Sequence, residues 1–260
     1  MKKKMFSLML TLVLSLTSLL SASANGNEDK DFGSILNQAG ILEENGASQS
    51  EVIDFFASQG ITVQDVSTKY VDIHGREVAA PSEFSTFSLD AVYREITNWT
   101  GTDSSKNYYA WAKVRMIADI QQGWVYEMYP ASYDVLSINW NPNYLSYVSN
   151  GIDTGSGNVW LADADQRDNG SVLFSLKDNP LPDHYVQVYV KLKAKKAGST
   201  TTSAKYTHTY DQTSSSESYS GNASWTWGSP LTVGVSYSVT TTSKEANWSK
   251  AATASVSVTL

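Results

Sequence analysis

The sequence predicts a mainly β protein, an antiparallel β-sandwich or barrel-like domain preceded by a small helical N-terminal segment. Three observations predict it. First, apolar and polar residues alternate with period two along the last thirty residues. Leu231, Val233, Val235, Tyr237 and Val239 interleave with Thr, Gly and Ser, and Ala252, Ala254, Val256 and Val258 do the same further on. Alternation of this length marks a half-buried antiparallel sheet. Second, turn pairs such as Asn141-Pro142, Asn150-Gly151, Asn169-Gly170 and Asn179-Pro180 recur between short β-rich runs after residue 89. Third, helical periodicity is confined to the stretch before residue 60.

Taken in order, the chain opens with Lys2, Lys3 and Lys4, an apolar run from Phe6 to Leu20, and Ala22-Ser23-Ala24. This is the layout of a secretory signal peptide over residues 1–24, with an apolar run too short for a comfortable membrane span. Removing those three lysines takes the net charge from −7 to −10. An acidic exported chain has no footprint for nucleic acid, whose phosphates demand a basic face. With 0 cysteines it has no disulfide staple, and at this length it needs none to bury a core.

Residues 25–80 read as an acidic helical leader, either a pro-segment or a small subdomain. Phe32, Ile35, Leu36 and Ala39 share one helical face. Ser48 and Glu51 have capping-box spacing ahead of Val52, Phe55 and Phe56. Gly60 sits where a left-handed residue ends a helix. Thr62 and Asp65 are placed to start one more turn, and Tyr70 to Val78 reads as a small hairpin around His74-Gly75. Residues 81–88 look like a linker, and residues 89–260 form the all-β domain. Its expected strands include 92–99, 108–120, 124–129, 133–140, 144–148, 158–162, 171–176, 185–194, 205–210 and 219–227. In the run 185–194, Val186, Val188, Val190 and Leu192 mark a core face. Tyr185, Gln187, Tyr189, Lys191 and Lys193 mark a face expected to be wet, which Lys195 and Lys196 extend into a concentrated basic spot.

No motif names a chemistry. The three histidines, His74, His184 and His208, stand apart, and there is no G-x-S-x-G elbow or H-E-x-x-H. Glu95, Glu127 and Asp134 lie on strands among aromatics, where glycoside-cleaving acids can sit, but one sequence cannot show the required spacing. Asp163, Asp165 and Asp168 partly resemble a calcium loop. Arg167 takes the third ligand position, and no glutamate closes the shell. Beyond that calcium candidate no cofactor is expected. Eight tryptophans and fifteen tyrosines are a large aromatic complement. Trp225 and Trp227, two apart on a strand, suit a sugar-stacking platform or an interfacial anchor.

The terminal stretch admits one sharper reading. Leu231 to Thr241 and Lys250 to Leu260 each match the roughly 9–11 residues of a transmembrane strand. Trp227, Tyr237 and Trp248 lie near their ends. Signal, acidic leader and alternating hairpin together resemble, in organisation, the large secreted bacteriocins and β-type pore-forming proteins of Gram-positive bacteria. The resemblance implies release from the producer, binding at the envelope of another cell, and membrane damage, with a possible homo-oligomer on the membrane. The expected function is therefore a secreted, non-enzymatic antibacterial protein. Tyr185, Tyr189, Lys191, Lys193, Lys195 and Lys196, with Trp225 and Trp227, would meet envelope polymer or lipid. The alternatives are a non-catalytic module for cell-wall or other polysaccharide, and an extracellular hydrolase.

Overall fold

The computed structural model describes residues 32–72, 74–80, 93–117, 134–153, 155, 159–176, 185–211, 224–241 and 245–260. Helices α1 (Phe32–Glu44) and α2 (Gln49–Ser58) lead into β1 (Ile61–Asp72) and β2 (Glu77–Val78). Strands β3 (Tyr93–Asp103), β4 (Asn107–Ile117), β5 (Asp134–Trp140), β6 (Leu145–Ile152) and β7 (Val159–Asp163) follow. After a 3-10 turn at Arg167–Asn169 come β8 (Ser171–Leu176), β9 (Tyr185–Ala194) and β10 (Gly198–Asp211). The last three strands are β11 (Ser224–Pro230), β12 (Val235–Thr240) and β13 (Glu245–Val258).

The strands form two facing antiparallel sheets and a ribbon. One sheet runs β2-β1-β3-β4-β9-β6, the other β13-β10-β5-β8-β7, and β11-β12 stand as a pair. The inner faces alternate as period two demands. Ile96, Ala110, Ala112, Val188, Val190 and Leu192 on the first sheet meet Leu136, Ile138, Trp140, Phe174 and Ala204 on the second. Each large side chain buried in this way contributes about 1.5–3 kcal/mol. One polar link crosses the core, where Asn98 Nδ2 donates to the carbonyl and hydroxyl oxygens of Thr202, both at 3.0 Å.

The helices form where the sequence places them. Ser48 caps α2, with its backbone N–H and hydroxyl both donating to Glu51 and its Oγ accepting from Glu51 N. Gly60 closes the helical part at φ +83°. Residues 61–72 differ from expectation. They form a strand, not a further helical turn, and pair with β3 from Ile61↔Asp103 to Asp72↔Tyr93. Ile61, Val63, Val66 and Val71 are β-branched and favour the pleat. The hairpin at residues 70–78 is present, with Tyr70 opposite Val78. The acidic segment is thus woven into the first sheet through β1. The signal peptide 1–24, the linker 81–88 and the expected strand 124–129 lie outside the described residues.

Two expectations are corrected. The first is the terminal hairpin, because its two strands do not pair with each other. Strand β12 pairs with β11, while β13 pairs with β10 along its whole length, from Gly198↔Val258 to Asp211↔Glu245. Ala252, Ala254, Val256 and Val258 face the sandwich core, and Val235 and Tyr237 face the outer side of the second sheet. Leu231 and Val233 lie in the connection, with Leu231 exposed and Val233 half-buried. The outer edge of β13 is capped. Ser257 N donates to Gln64 Oε1 and Ser255 N to Asp65 Oδ2, each at 2.7 Å. Thr100 Oγ1 donates to the Ser255 carbonyl at 2.7 Å. Side chains released by the bulge in β1 between Val63 and Asp65 thus serve as the missing neighbour strand.

The second correction concerns the face of β9 expected to be wet. It carries the helices. Gln187 Nε2 donates to the Leu36 carbonyl at 3.0 Å, Tyr189 packs edge-on to Phe32, and Tyr185 lies against Gly40. Phe32, Leu36, Ala39, Val52 and Phe56 bury with Trp99, Tyr109 and Trp111 from the sheet. Aromatic and apolar residues on the outer side of three neighbouring strands made that face a packing surface.

Candidate envelope-contact surface

His208 and the strand acids Glu95 and Asp134 are spent on structure. His208 Nδ1 lies 3.1 Å from Asp134 Oδ2, and the fully buried Asp134 also accepts from Tyr206 Oη and from Thr209 N. Trp248 covers this group, packing edge-on to Tyr206 and tilted against His208. Glu95 is held at 2.9 Å by Lys113 Nζ, which also reaches Glu43 of α1 at 2.8 Å. Burial alone would push the Lys113 ammonium down, but Glu95 and Glu43 outweigh it and hold its pKa above the ordinary lysine range. His74 is exposed in its turn, and Glu127 and His184 lie outside the described residues.

The calcium candidate does not assemble. Asp163 Oδ1 accepts from Asp165 N at 2.7 Å, and its Oδ2 accepts from Trp227 Nε1 at 3.1 Å. Asp168 sits in the 3-10 turn, and no group of three or more metal-ligating side chains occurs among the described residues. The Asp163 carboxylate accepts from an indole N–H and a backbone N–H.

The tryptophan platform is also turned inward. Trp225 and Trp227 share a face of β11, as their spacing predicts, and that face packs on the second sheet with Val135, Leu173, Tyr237 and Val239. Ser224, Thr226 and Gly228 face outward. Beneath the ribbon, Lys205 Nζ stands 4.1 Å from the Tyr237 ring centroid and donates to the Tyr237 carbonyl. Burial holds this ammonium below its usual pKa. Burial likewise raises the pKa of the Tyr237 phenol, which shares a hydrogen bond with Thr207 Oγ1 at 2.8 Å.

Among the described residues, the exposed lysines of the expected contact set lie at one end of the sandwich. The sheet pairings bring the turns 103–107, 141–145, 164–170 and 194–198 to that end. Lys193, Lys195 and Lys196 are exposed there, and Asn107 lies opposite Lys193. Lys191 is only half-buried, its ammonium 5.9 Å from the Tyr109 ring, at the margin of the helical layer. The lysine-bearing turn is held by its backbone. Lys195 N donates to the Tyr144 carbonyl at 2.8 Å, and Lys195 Nζ to the Pro142 carbonyl at 2.7 Å. Lys196 Nζ stands 5.3 Å from the Tyr144 ring centroid. Nearby, Arg167 lies 5.9 Å from the Tyr147 ring, and Asn150 Nδ2 donates to the Tyr147 hydroxyl. Lys106, at φ 59°, is exposed in the adjoining turn and donates to the Leu260 carbonyl. Asp103 in that turn is taken up by Asn107 and Tyr109. Asp165 and Asp168 flank Arg167 and bound the basic patch on that side.

Of the expected contact residues, the structure keeps Lys193, Lys195 and Lys196 together on the surface. Tyr185 and Tyr189 lie under α1, and Trp225 and Trp227 are on the face of the ribbon packed against the second sheet. Tyr144, Tyr147, Lys106 and Arg167 join the lysines instead. For Tyr144 and Tyr147 the sequence signal is only the Asn141-Pro142 turn, because the pairing of β6 with β9 is non-local. Lys106 arrives through the β4–β9 pairing and Arg167 through its 3-10 turn.

No family model matches this chain, and no curated protein matches it. The chain is similar to several solved structures, two of which follow. One is described as "BspA_C_WT", with 11% identity and a TM-score of 0.26 over 56% of this chain and 46% of that one, so the chain spans under half of its length. The other is described as "pH-induced modulation of Streptococcus parasanguinis adhesion by Fap1 fimbriae", with 12% identity and a TM-score of 0.30 over 76% of this chain and 95% of that one. Similarities at this level leave function to be read from the chain's own surface.

Proposed function

We propose that the chain is a secreted, non-catalytic module that binds an anionic polymer of the bacterial envelope through the turn end of its sandwich. The observation that carries the reading is the convergence of Lys193, Lys195 and Lys196 with Lys106 and Arg167 at one end of a net acidic protein. Cations so placed attract a polyanion against the protein's overall charge, and the attraction fades as salt shortens the Debye length. The signal-like N-terminus supports export. Insertion of the terminal strands into a bilayer would require stripping β13 from β10 and uncovering Ala252, Val256 and Val258. Binding at the turn end needs no such rearrangement.

The test is retention of purified protein on insoluble cell walls across a salt series. Wild type should be retained at about 50 mM salt and released by about 0.5 M. The triple variant Lys193→Glu, Lys195→Glu, Lys196→Glu should pass through with an unchanged melting temperature. Retention of the triple variant equal to wild type would sink the reading. Dye leakage from liposomes by a protein that walls do not retain would favour membrane attack instead.

A further inference from the structure

We infer that Tyr144 is a sugar-stacking residue positioned by Gly198, so that the polymer bound at the turn end is an anionic glycan, not a bare polyanion or a lipid headgroup. This rests on the binding reading above and narrows its ligand.

The lysines alone would form a diffuse cationic surface, since ammonium groups on flexible stems fix no geometry. Tyr144 differs because the fold specifies its position from several directions. Its carbonyl accepts from both Lys195 N and Lys196 N, at 2.8 and 3.3 Å, which ties the residue to the lysine-bearing turn. Its own N–H donates to the Asn141 carbonyl at 3.1 Å. Its ring, half-buried, packs against the main core at its base. Gly198 faces the ring edge at φ +145°, where an added Cβ would come within 2.8 Å of Tyr144 Cε1. Glycine alone therefore admits the ring at its present position and adopts this backbone angle without strain. The partly buried ring is held in place with the Lys196 ammonium over it, 5.3 Å from its centroid. It therefore offers an apolar platform whose cation moves aside on its flexible stem to meet a sugar's anionic group. A sugar ring matches the platform with its C–H face, and a carboxylate or phosphate on that sugar or the next matches the ammonium. A lipid headgroup or inorganic polyanion uses only the charge.

The experiment measures affinity by titration calorimetry at fixed salt for polygalacturonate, inorganic polyphosphate and phosphatidylglycerol vesicles. The proteins are wild type, Tyr144→Leu, Tyr144→Phe, Gly198→Ala and the triple lysine variant, each checked for its melting curve. Tyr144→Leu and Gly198→Ala should each weaken polygalacturonate binding about fivefold or more, the range expected for loss of one aromatic contact. Polyphosphate binding should stay unchanged in both. Tyr144→Phe should keep the wild-type affinity, because the ring and not the hydroxyl does the stacking. The triple lysine variant should lose both polymers. Equal behaviour of Tyr144→Leu and wild type on polygalacturonate would overturn the inference, as would equal losses on both polymers. Wild-type binding to polyphosphate or vesicles but not to polygalacturonate would also overturn it while leaving a cationic contact surface. Failure of wild type to bind any of the three would instead remove the binding reading itself. If Tyr144→Leu does not fold, Gly198→Ala decides the matter, since it shifts the ring without altering a charge.

Discussion

The two sheets of the sandwich both hide their outer faces, but by different means. The first sheet is covered by two helices through a thick apolar layer, in which Phe32, Leu36 and Phe56 meet Trp99, Tyr109 and Trp111. At its margin sits a buried lysine between two carboxylates. The second is covered by a two-stranded ribbon through a thin layer, Tyr237 with Val135 and Leu173, edged by Trp225 and Trp227. Much of that cover is polar. Val235 N donates to Ser171 Oγ, Ser171 Oγ to Asn139 Oδ1, and Gly234 N to the Trp140 carbonyl. The helical cover gains its stability mainly from area, whereas the ribbon depends more on individual hydrogen bonds. Aromatic residues that suggest a binding platform in the sequence, Trp99, Trp111, Trp225 and Trp227 among them, are taken up by these two covers, while Trp140, Tyr108 and Tyr206 lie in the main core.

The largest expected effect lies in the core between the two covered sheets. Val256 is 2% exposed and faces the core. Val256→Lys buries an unpaired ammonium and should cost more than about 4 kcal/mol, abolishing the cooperative thermal transition. A folded Val256→Lys variant that had lost only an envelope activity would show instead that β13 leaves the sheet to act. Next in size is the helical cover. Leu36→Ala removes a fully buried side chain from the thick layer and should cost about 3 kcal/mol in urea unfolding, with the native state retained. A loss under about 1 kcal/mol would mean that the helices contribute little to the fold.

Lys113 sharpens the contrast electrostatically. Lys113→Met leaves Glu43 and Glu95 facing each other without their cation and should destabilise by about 2–3 kcal/mol near neutral pH. The pH dependence has a definite sign. The folded state holds the Lys113 proton more tightly than the unfolded chain does, so its stabilisation is complete below the unfolded lysine pKa, about 10.4. It is lost as pH rises through the higher folded value. Urea midpoints measured from pH 8 to 12 should therefore fall more steeply for wild type than for Lys113→Met. Parallel curves would show that the triad contributes no such linkage. At the acidic end Asp72 acts in the opposite sense. Burial works to raise its pKa, but hydrogen bonds from Arg76 and His74 outweigh it and hold it below the usual range. Its contribution is present above the unfolded aspartate pKa and disappears as pH falls through the folded one.

The sequence made the β class legible because period two needs only local information, and the caps at Ser48 and Gly60 for the same reason. Thr62 and Asp65 point to a helical turn because they are good helix starters in isolation. Pairing with β3 overrode that local preference. The face of β9 carrying Tyr185, Gln187 and Tyr189 looked wet because polar atoms and tyrosines alternate there. Only the docking of α1 shows that Gln187 serves the Leu36 carbonyl. The candidate site was half legible. Three consecutive or near-consecutive lysines can be read along the chain, but Tyr144 and Arg167 arrive through strand pairing and turn geometry across many residues. The terminal strands gave the most misleading signal. Alternation places the faces of Val235, Tyr237 and the β13 residues, but not of Leu231, which is exposed in the connection, and it carries no information on which strand is the neighbour.

The ribbon gives the smallest expected effect and the most direct test of how it is held. Trp227 Nε1 donates to Asp163 Oδ2 at 3.1 Å, linking the ribbon to the edge strand β7. Trp227→Phe keeps most of the packing against Tyr237 and removes this bond alone. The cost should be about 1 kcal/mol, a fall of about 2–4 °C in melting temperature for a chain of this size. Asp163→Asn should cost a similar amount, because its one oxygen still accepts from Asp165 N while its amide nitrogen, a donor, faces the indole N–H. The double variant should lose little more than Trp227→Phe alone, since both changes act on one bond. Strictly additive losses would show that the indole and the carboxylate act separately. The ribbon would then rest on the Ser171–Val235 and Trp140–Gly234 bonds at its turn. Its Trp227 end would be free to lift from the sheet without disturbing the core beneath.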